Sequence, residues 1–502
     1  MPETAFDLIV RNVRVVRPHH DDAPTSDIGI TDGRIAAVAP TLSAGPTTRV
    51  IDGMGQLAFP GLVDAHMHVG IYAPLDEDAR SESRAAAMGG VTTSLNYMRT
   101  GQYYLNKAGP YAEFFPEVLA LSDGQFHVDY AYHLAPMDRQ HISEIESLID
   151  DHGVTSFKIF MFYGGYGLHG SSSDQKAFLM IGDGERYDLA HFEFVMRGLS
   201  SAIERRPEKR EYISLSLHCE TAEIMTAYTA LVQQEGTLTG LRAYSASRPP
   251  HSEGLAIVIA SYLAHETALP NINLLHLTSK KAVEAALLMR DAFPHVDFRR
   301  EVTIGHLILD YDAPAGAKAK VNPPIRSRED VEFLWEALHR GDIDWVCSDH
   351  ACCAAEHKAN AADPHNIFLS RSGFGGTEYL LSGLFTEATK RGLPWHRIAE
   401  LTSWNPSRRF GLFGKGDIAP GFDADIVLFD PQATFVVNGT ASPSTQGYSV
   451  FDGLTFTGVV TQTILRGRVV YDRGTYPSPP FGQFLARPYR VELRRTEPPH
   501  EP

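Results

Sequence analysis

The sequence predicts an α/β protein: a (β/α)8 barrel of the TIM type, joined to a small β-sandwich assembled from both chain ends. Three observations lead there. Between about Phe59 and Phe410, short strand-like runs alternate with amphipathic helix-like runs, the pattern that builds βα units and a parallel sheet. Outside that stretch both chain ends carry short alternating strands without intervening helices. At 502 residues the chain exceeds one ordinary domain and suits a large barrel with an appended smaller one.

Residues 1–58 read as the first part of the sandwich. FDLIVRNVRVV and DIGITDGRIAAVAP are antiparallel strands, and Asp32-Gly33 supplies a hairpin turn that tolerates positive φ. Residues 59–411 form the barrel. Its eight strand candidates are GLVDAHMHV, VTTSLNYM, FHVDYAYHL, TSFKIFMF, YISLSLH, NINLLHL, VDFRREVTI and IDWVCSD, with helices such as AIVIASYLAHE and VEFLWEALHRG in the gaps. Residues 412–475 return to strands in ADIVLFDP, ATFVVNG and GVVTQTILRGRVVYDRG, with a turn at Arg466-Gly467, and complete the sandwich. The tail, 476–502, is too irregular for a domain of its own, and no fixed-period repeat occurs.

Composition narrows the function classes. With 43% hydrophobic and 21% charged residues the chain is an ordinary globular protein. A formal net charge of -16 argues against nucleic acid or an anionic membrane surface as principal partner. The start, MPETAFDLIVRNVRV, lacks the basic and apolar regions of a signal peptide, and no apolar run reaches membrane-spanning length, so the cytoplasm is the expected location. Cys219, Cys347, Cys352 and Cys353 form no CxxC, which indicates neither a disulfide framework nor a cysteine zinc cage.

His66 and His68 sit two apart near the carboxyl end of the first barrel strand, so both imidazoles point to one face. Two neutral nitrogens on one face can hold a divalent metal, and this is the strand end at which barrel active sites are built. Lys158 on strand four, His218 closing strand five, His276 closing strand six and Asp349 after strand eight repeat the placement. Five strands thus converge on one rim, which makes a metal site the reading of the set. His127, His133, His169, His265 and His357 do not join by placement. His306 and His350 lie nearer the rim, where either could brace a ligand.

GLVDAHMH, AAAMGGVTT, GVTSFKIFMFY, LHCE, SRPPHSEGLA, LLHLTS, PPIR, SDHA, TSWNPSRRFGL and GFDADIVLFDP, in this order, resemble the successive motifs of the dihydropyrimidinases and hydantoinases of the amidohydrolase superfamily. The likeness runs across nearly the whole chain. It implies a hydrolase that opens cyclic amides or ureides, with two divalent metal ions, zinc by preference. One would be bound by His66, His68, Lys158 and Asp349, the other by Lys158, His218 and His276. A lysine ammonium has no lone pair, so Lys158 would serve as a CO₂-derived carbamate bridging both metals, its neutral amine favoured by the apolar run SFKIFMF. Hydroxide generated at the metals would attack the amide carbonyl. Asp349 would shuttle the proton to the leaving nitrogen. The resemblance also assigns Tyr163 to oxyanion stabilisation, Asn322 and Ser372 to substrate contact through their backbone, and GQFLARP to the contacts of a homotetramer, with a homodimer as the smaller assembly.

The sequence departs from the family pattern in places. HVGIYAPLDEDARSE lacks the Pro-Phe pair that usually follows the two histidines. Asn322 replaces a common Ser, Ser372 replaces an Asn, and the loop after Tyr163 is long and rich in glycine and aromatics. Tyr103, Tyr104, Tyr111, Phe114 and Phe115 after strand two, with Tyr166 and Leu168, are expected to line an apolar pocket and to favour bulky or aryl-substituted rings. Allantoinase is the open alternative. Dihydroorotase is disfavoured by Gly70 where an arginine is usual, and a non-catalytic dihydropyrimidinase-like scaffold by the complete ligand set.

Overall fold

The computed structural model describes residues 6–164 and 175–490. Two sheets organise the chain. The larger is entirely parallel and runs, in spatial order, Trp345–Cys347, Asp297–Thr303, Asn271–Leu274, Ser214–His218, Ser156–Phe160, Asp129–Leu134, Val91–Met98, Leu62–His68 and His350–Ala351. Its two outermost members are consecutive in the chain, separated only by Ser348 and Asp349. The sheet is therefore curled so that its edges approach each other. All eight predicted strand runs contribute to it.

Helices occupy the connections, and their boundaries follow from the sequence. Arg328–Arg340 buries Val331, Leu334, Trp335 and Leu338, one stripe at helical spacing. The Ser327 hydroxyl accepts the Asp330 N–H at its start, and Gly341, at φ 78°, ends it in the left-handed conformation.

The smaller sheet takes Leu8–Val15, Thr25–Thr31, Arg34–Ala39, Arg49–Asp52 and Leu57–Pro60 from one end of the chain, and Ile426–Val436, Thr455–Leu465 and Arg468–Asp472 from the other. The ends meet where Leu57–Pro60 pairs antiparallel with Ile426–Val436. ADIVLFDP and ATFVVNG, read as two strands, are one strand whose register slips between Asp430 and Thr434. Both anticipated hairpin turns form. Asp32 and Gly33 have φ 51° and 73°, Arg466 and Gly467 43° and 75°, as two-residue hairpins require.

Lys415 bonds this sheet to the larger one. Its Nζ lies 2.7 Å from Asp129, 2.9 Å from Asp423 and 2.8 Å from Asp425, all buried. Burial pushes the ammonium pKa down, but the three carboxylates outweigh it and hold it well above the usual lysine range.

The GQFLARP segment packs on its own chain. Tyr130 N–H donates to Gln483 O (3.0 Å) and Leu485 N–H to Tyr130 O (2.8 Å). Leu485 and Arg487 are buried, and Arg487 Nη1 donates to Ser156 Oγ (2.5 Å). Ser156 begins its strand, so the segment closes the end of the sheet opposite the candidate site. Among the described residues no helix is long and apolar enough to cross a membrane.

Candidate active site

The strand ends bring His66, His68, Lys158, His218, His276 and Asp349 together, all buried. His66 and His68 close Leu62–His68, His218 closes Ser214–His218, and Lys158 is central in Ser156–Phe160. His276 (φ 35°) and Asp349 (φ 52°) lie just beyond strands in the left-handed region. Non-glycine residues rarely adopt it, and such strain clusters at functional sites. Except for His66, these side chains line a cavity of about 50 Å³ together with Tyr163, Asn322 and Ser372.

Asp349 Oδ1 is 3.1 Å from His66 Nε2 and 3.3 Å from His68 Nε2, while Lys158 Nζ is 3.1 Å from His66 Nε2. The His218 and His276 ring centroids are 4.4 Å apart. Burial lowers the pKa of all four imidazoles, so each is neutral and able to offer a lone pair. Burial also lowers Lys158 to about 8, against the upward pull of Asp349 and Glu301, which leaves part of the amine unprotonated near neutral pH. For Asp349, burial acts upward, but His66, His68 and Lys158 bring it down to about 2.

The donor set fits divalent metal. Among the described residues neither ring nitrogen of His276 has a partner, although both are buried, and an unmatched buried polar atom is costly. His66, His68 and Asp349 each offer a ligand atom, all within 4.8 Å of one another. Neutral nitrogens with carboxylate oxygen suit zinc among other divalent ions.

The amidohydrolase family profile matches residues 250–470. An allantoinase from Rubrobacter xylanophilus is 34% identical to the chain, over 98% of this chain and 100% of that protein. A D-hydantoinase from Ralstonia pickettii is 30% identical over 96% and 99%. The solved L-hydantoinase (dihydropyrimidinase) from Arthrobacter aurescens superposes with TM-score 0.82 at 26% identity, over 95% and 99%. The chain is an amidohydrolase of the hydantoinase/dihydropyrimidinase-like family. It is accordingly a hydrolase.

Around the ligands, this amidohydrolase carries Glu301 and Glu220, which its sequence alone did not single out, and Tyr104, which was expected only as a pocket wall. Glu301 Oε1 is 2.7 Å from His66 Nδ1 and accepts the His276 backbone N–H at 3.1 Å, and its Oε2 accepts from Trp345 Nε1 at 2.8 Å. Glu220 Oε2 is 2.7 Å from His218 Nε2 and accepts from Arg248 at 2.9 Å. The Tyr104 hydroxyl is 2.8 Å from His68 Nδ1. Three of the four imidazoles thus have one nitrogen engaged and the other presented, the arrangement that orients metal-binding histidines. Burial raises Glu301 to about 7. The available signals were an acid within the strand run VDFRREVTI and another two places after His218.

Other histidines are tied into the surrounding protein. His306 is held between Thr303 Oγ1 (2.7 Å) and Pro323 O (3.1 Å), and His350 between Glu82 (2.8 Å) and the backbone N–H of Gly376 (3.1 Å). His133 stacks on Tyr97 inside the sheet, centroids 4.2 Å apart. Of the aromatics after the second strand, only Tyr104 lines the cavity. Tyr111, Phe114 and Phe115 begin the helix Tyr111–Ser122 and turn into the core, because helical spacing puts them on its buried face. His169, Tyr166 and Leu168 lie outside the described residues. Asn322 accepts a hydrogen bond from the Tyr244 hydroxyl, and Ser372 O accepts one from Tyr72 (2.7 Å).

Proposed function

We propose that this amidohydrolase hydrolyses the amide bond of cyclic amides and ureides, as a hydantoinase or dihydropyrimidinase does. The observation that carries the reading is the convergence of six buried donors from five strands or the turns just past them, with both nitrogens of His276 left without a partner among the described residues. In this reading the curled parallel sheet is the wall of a (β/α)8 barrel, residues 59–411. The mixed sheet of residues 1–58 and 412–475 is the sandwich, followed by the tail.

His66, His68, Lys158 and Asp349 would hold one divalent ion, and Lys158, His218 and His276 the other, with Lys158 as its carbamate. Such ions lower the pKa of water toward neutrality and polarise an amide carbonyl. Asp349, a carboxylate by its surroundings, takes a proton from the attacking water and returns it to the ring nitrogen as the C–N bond breaks. Tyr163 donates its hydroxyl hydrogen to the carbonyl oxygen as negative charge builds there. Asn322 and Ser372, on neighbouring segments of the cavity wall joined by the Gly373 N–H to Lys320 O bond (3.0 Å), meet the ring through backbone groups. Glu301, Tyr104 and Glu220 keep the imidazoles oriented.

Allantoin hydrolysis is the second reading, favoured by the near full-length likeness to the allantoinase of R. xylanophilus. Turnover of hydantoin, 5-aryl hydantoins, dihydrouracil, allantoin, cyclic imides and linear amides by metal-replete protein separates the two. Ring opening of at least one cyclic substrate, with linear amides inert, is the expected result. Failure to open any ring overturns the proposal. A homotetramer is carried forward as its assembly, to be checked by light scattering.

A further inference from the structure

Immediately past the strand Val91–Met98 lies a buried cation that the chemistry above does not use. Arg99 is 1% exposed, and among the described residues it forms no ion pair. Its Nη1 donates to Thr100 O (2.8 Å), and its Nε has no partner among the described residues. In place of a carboxylate, three aromatic rings surround the guanidinium: Phe178 at 4.8 Å, Tyr104 at 5.0 Å and Tyr163 at 5.3 Å. Tyr104 and Tyr163 both line the cavity. The backbone makes room for this packing. A Cβ at residue 101 would come within 2.5 Å of Arg99 Nη1, and the φ of 111° there suits only glycine.

A buried charge with no counter-charge among the described residues is unfavourable, so its place beside an active cavity calls for a use. The guanidinium can only donate hydrogen bonds. The guanidinium lies 5.3 Å from the centre of the Tyr163 ring, and toward a cation a phenol turns its oxygen lone pairs rather than its hydrogen, which leaves the Tyr163 O–H to point away from Arg99. In a low-dielectric site, a hydrogen bond received from a cation strengthens the one that the phenol gives.

We propose that Arg99 is a positioning residue for the reaction: it holds the Tyr163 hydroxyl hydrogen toward the cavity and polarises it for donation to the substrate oxygen. The proposal rests on the role given to Tyr163 above. Its test is a double-mutant cycle on the metal-replete enzyme, with the best cyclic substrate of the turnover screen: Arg99→Gln, Tyr163→Phe and the pair. Metal content and melting temperature are followed alongside.

Arg99→Gln is expected to lower kcat about tenfold, a fraction of the loss typical for removal of an oxyanion donor, with KM nearly unchanged. Arg99→Lys, which keeps the charge, is expected to recover part of that loss. With Tyr163→Phe already in place, Arg99→Gln should cost little more. An unchanged kcat in Arg99→Gln, or the same tenfold loss with and without Tyr163, overturns the proposal while leaving the role of Tyr163 intact. An unchanged kcat in Tyr163→Phe overturns the role of Tyr163 itself. Should Arg99→Gln be too unstable to assay, Arg99→Met, which keeps the stem packed among the three rings, is read by the same comparison.

Discussion

Glu301 Oε1 lies 2.7 Å from His66 Nδ1, so a single buried carboxylate decides which nitrogen of His66 is presented to Lys158 and Asp349. The same oxygen receives the His276 backbone N–H, and the other oxygen receives the Trp345 indole N–H. Three strands are thereby fixed relative to one another at the site.

Glu301→Gln should therefore leave the fold intact and weaken metal binding by about 10- to 100-fold, the usual cost of losing a group that orients a ligand histidine. Competition with a chromophoric chelator measures this. Unaltered affinity would mean that Glu301 serves only to pack Trp345.

Asp349→Asn should keep the melting temperature and much of the metal, because an amide oxygen remains beside His66 and His68. Turnover should nevertheless fall to nearly nothing, since an amide cannot accept and return a proton at neutral pH. Substantial kcat in this variant would remove Asp349 from proton transfer.

Lys415→Met should destabilise the protein by about 3–5 kcal/mol, because it leaves Asp423 and Asp425 buried without their cation, while Asp129 keeps Arg466. The pH dependence follows from the raised lysine pKa. Its contribution is complete below about 10.5 and disappears only as pH rises through the still higher folded value. Denaturant melts of both proteins between pH 7 and 10 should thus differ by a nearly constant amount. A difference that vanishes within that range would contradict the assignment.

Much of this site was legible because strand periodicity and strand ends are local features. Two histidines separated by one residue, and histidines closing their strands, can point only toward a shared rim once the sheet is parallel. Glu301 escaped because its role depends on which face of Asp297–Thr303 looks inward, and on His66, 235 residues away. Tyr111, Phe114 and Phe115 were misread as pocket walls for a related reason, whereas Tyr104 does line the cavity. Tyr111 begins a helix, and helical spacing sends Phe114 and Phe115 into the core. In the smaller sheet, a register slip in Ile426–Val436 looked like a break between two strands.

The most direct test of the account is the metal content and activity of Lys158→Ala. Its premise is that this lysine, buried against Tyr97 at 3.9 Å and Phe160 at 4.4 Å, is a carbamate ligand shared by two metal ions. The variant is expected to lose metal and turnover together. Lys158→Arg should do no better, and short carboxylic acids should restore part of both in the alanine variant. A folded, metal-replete and fully active Lys158→Ala protein, without any added acid, would contradict the account.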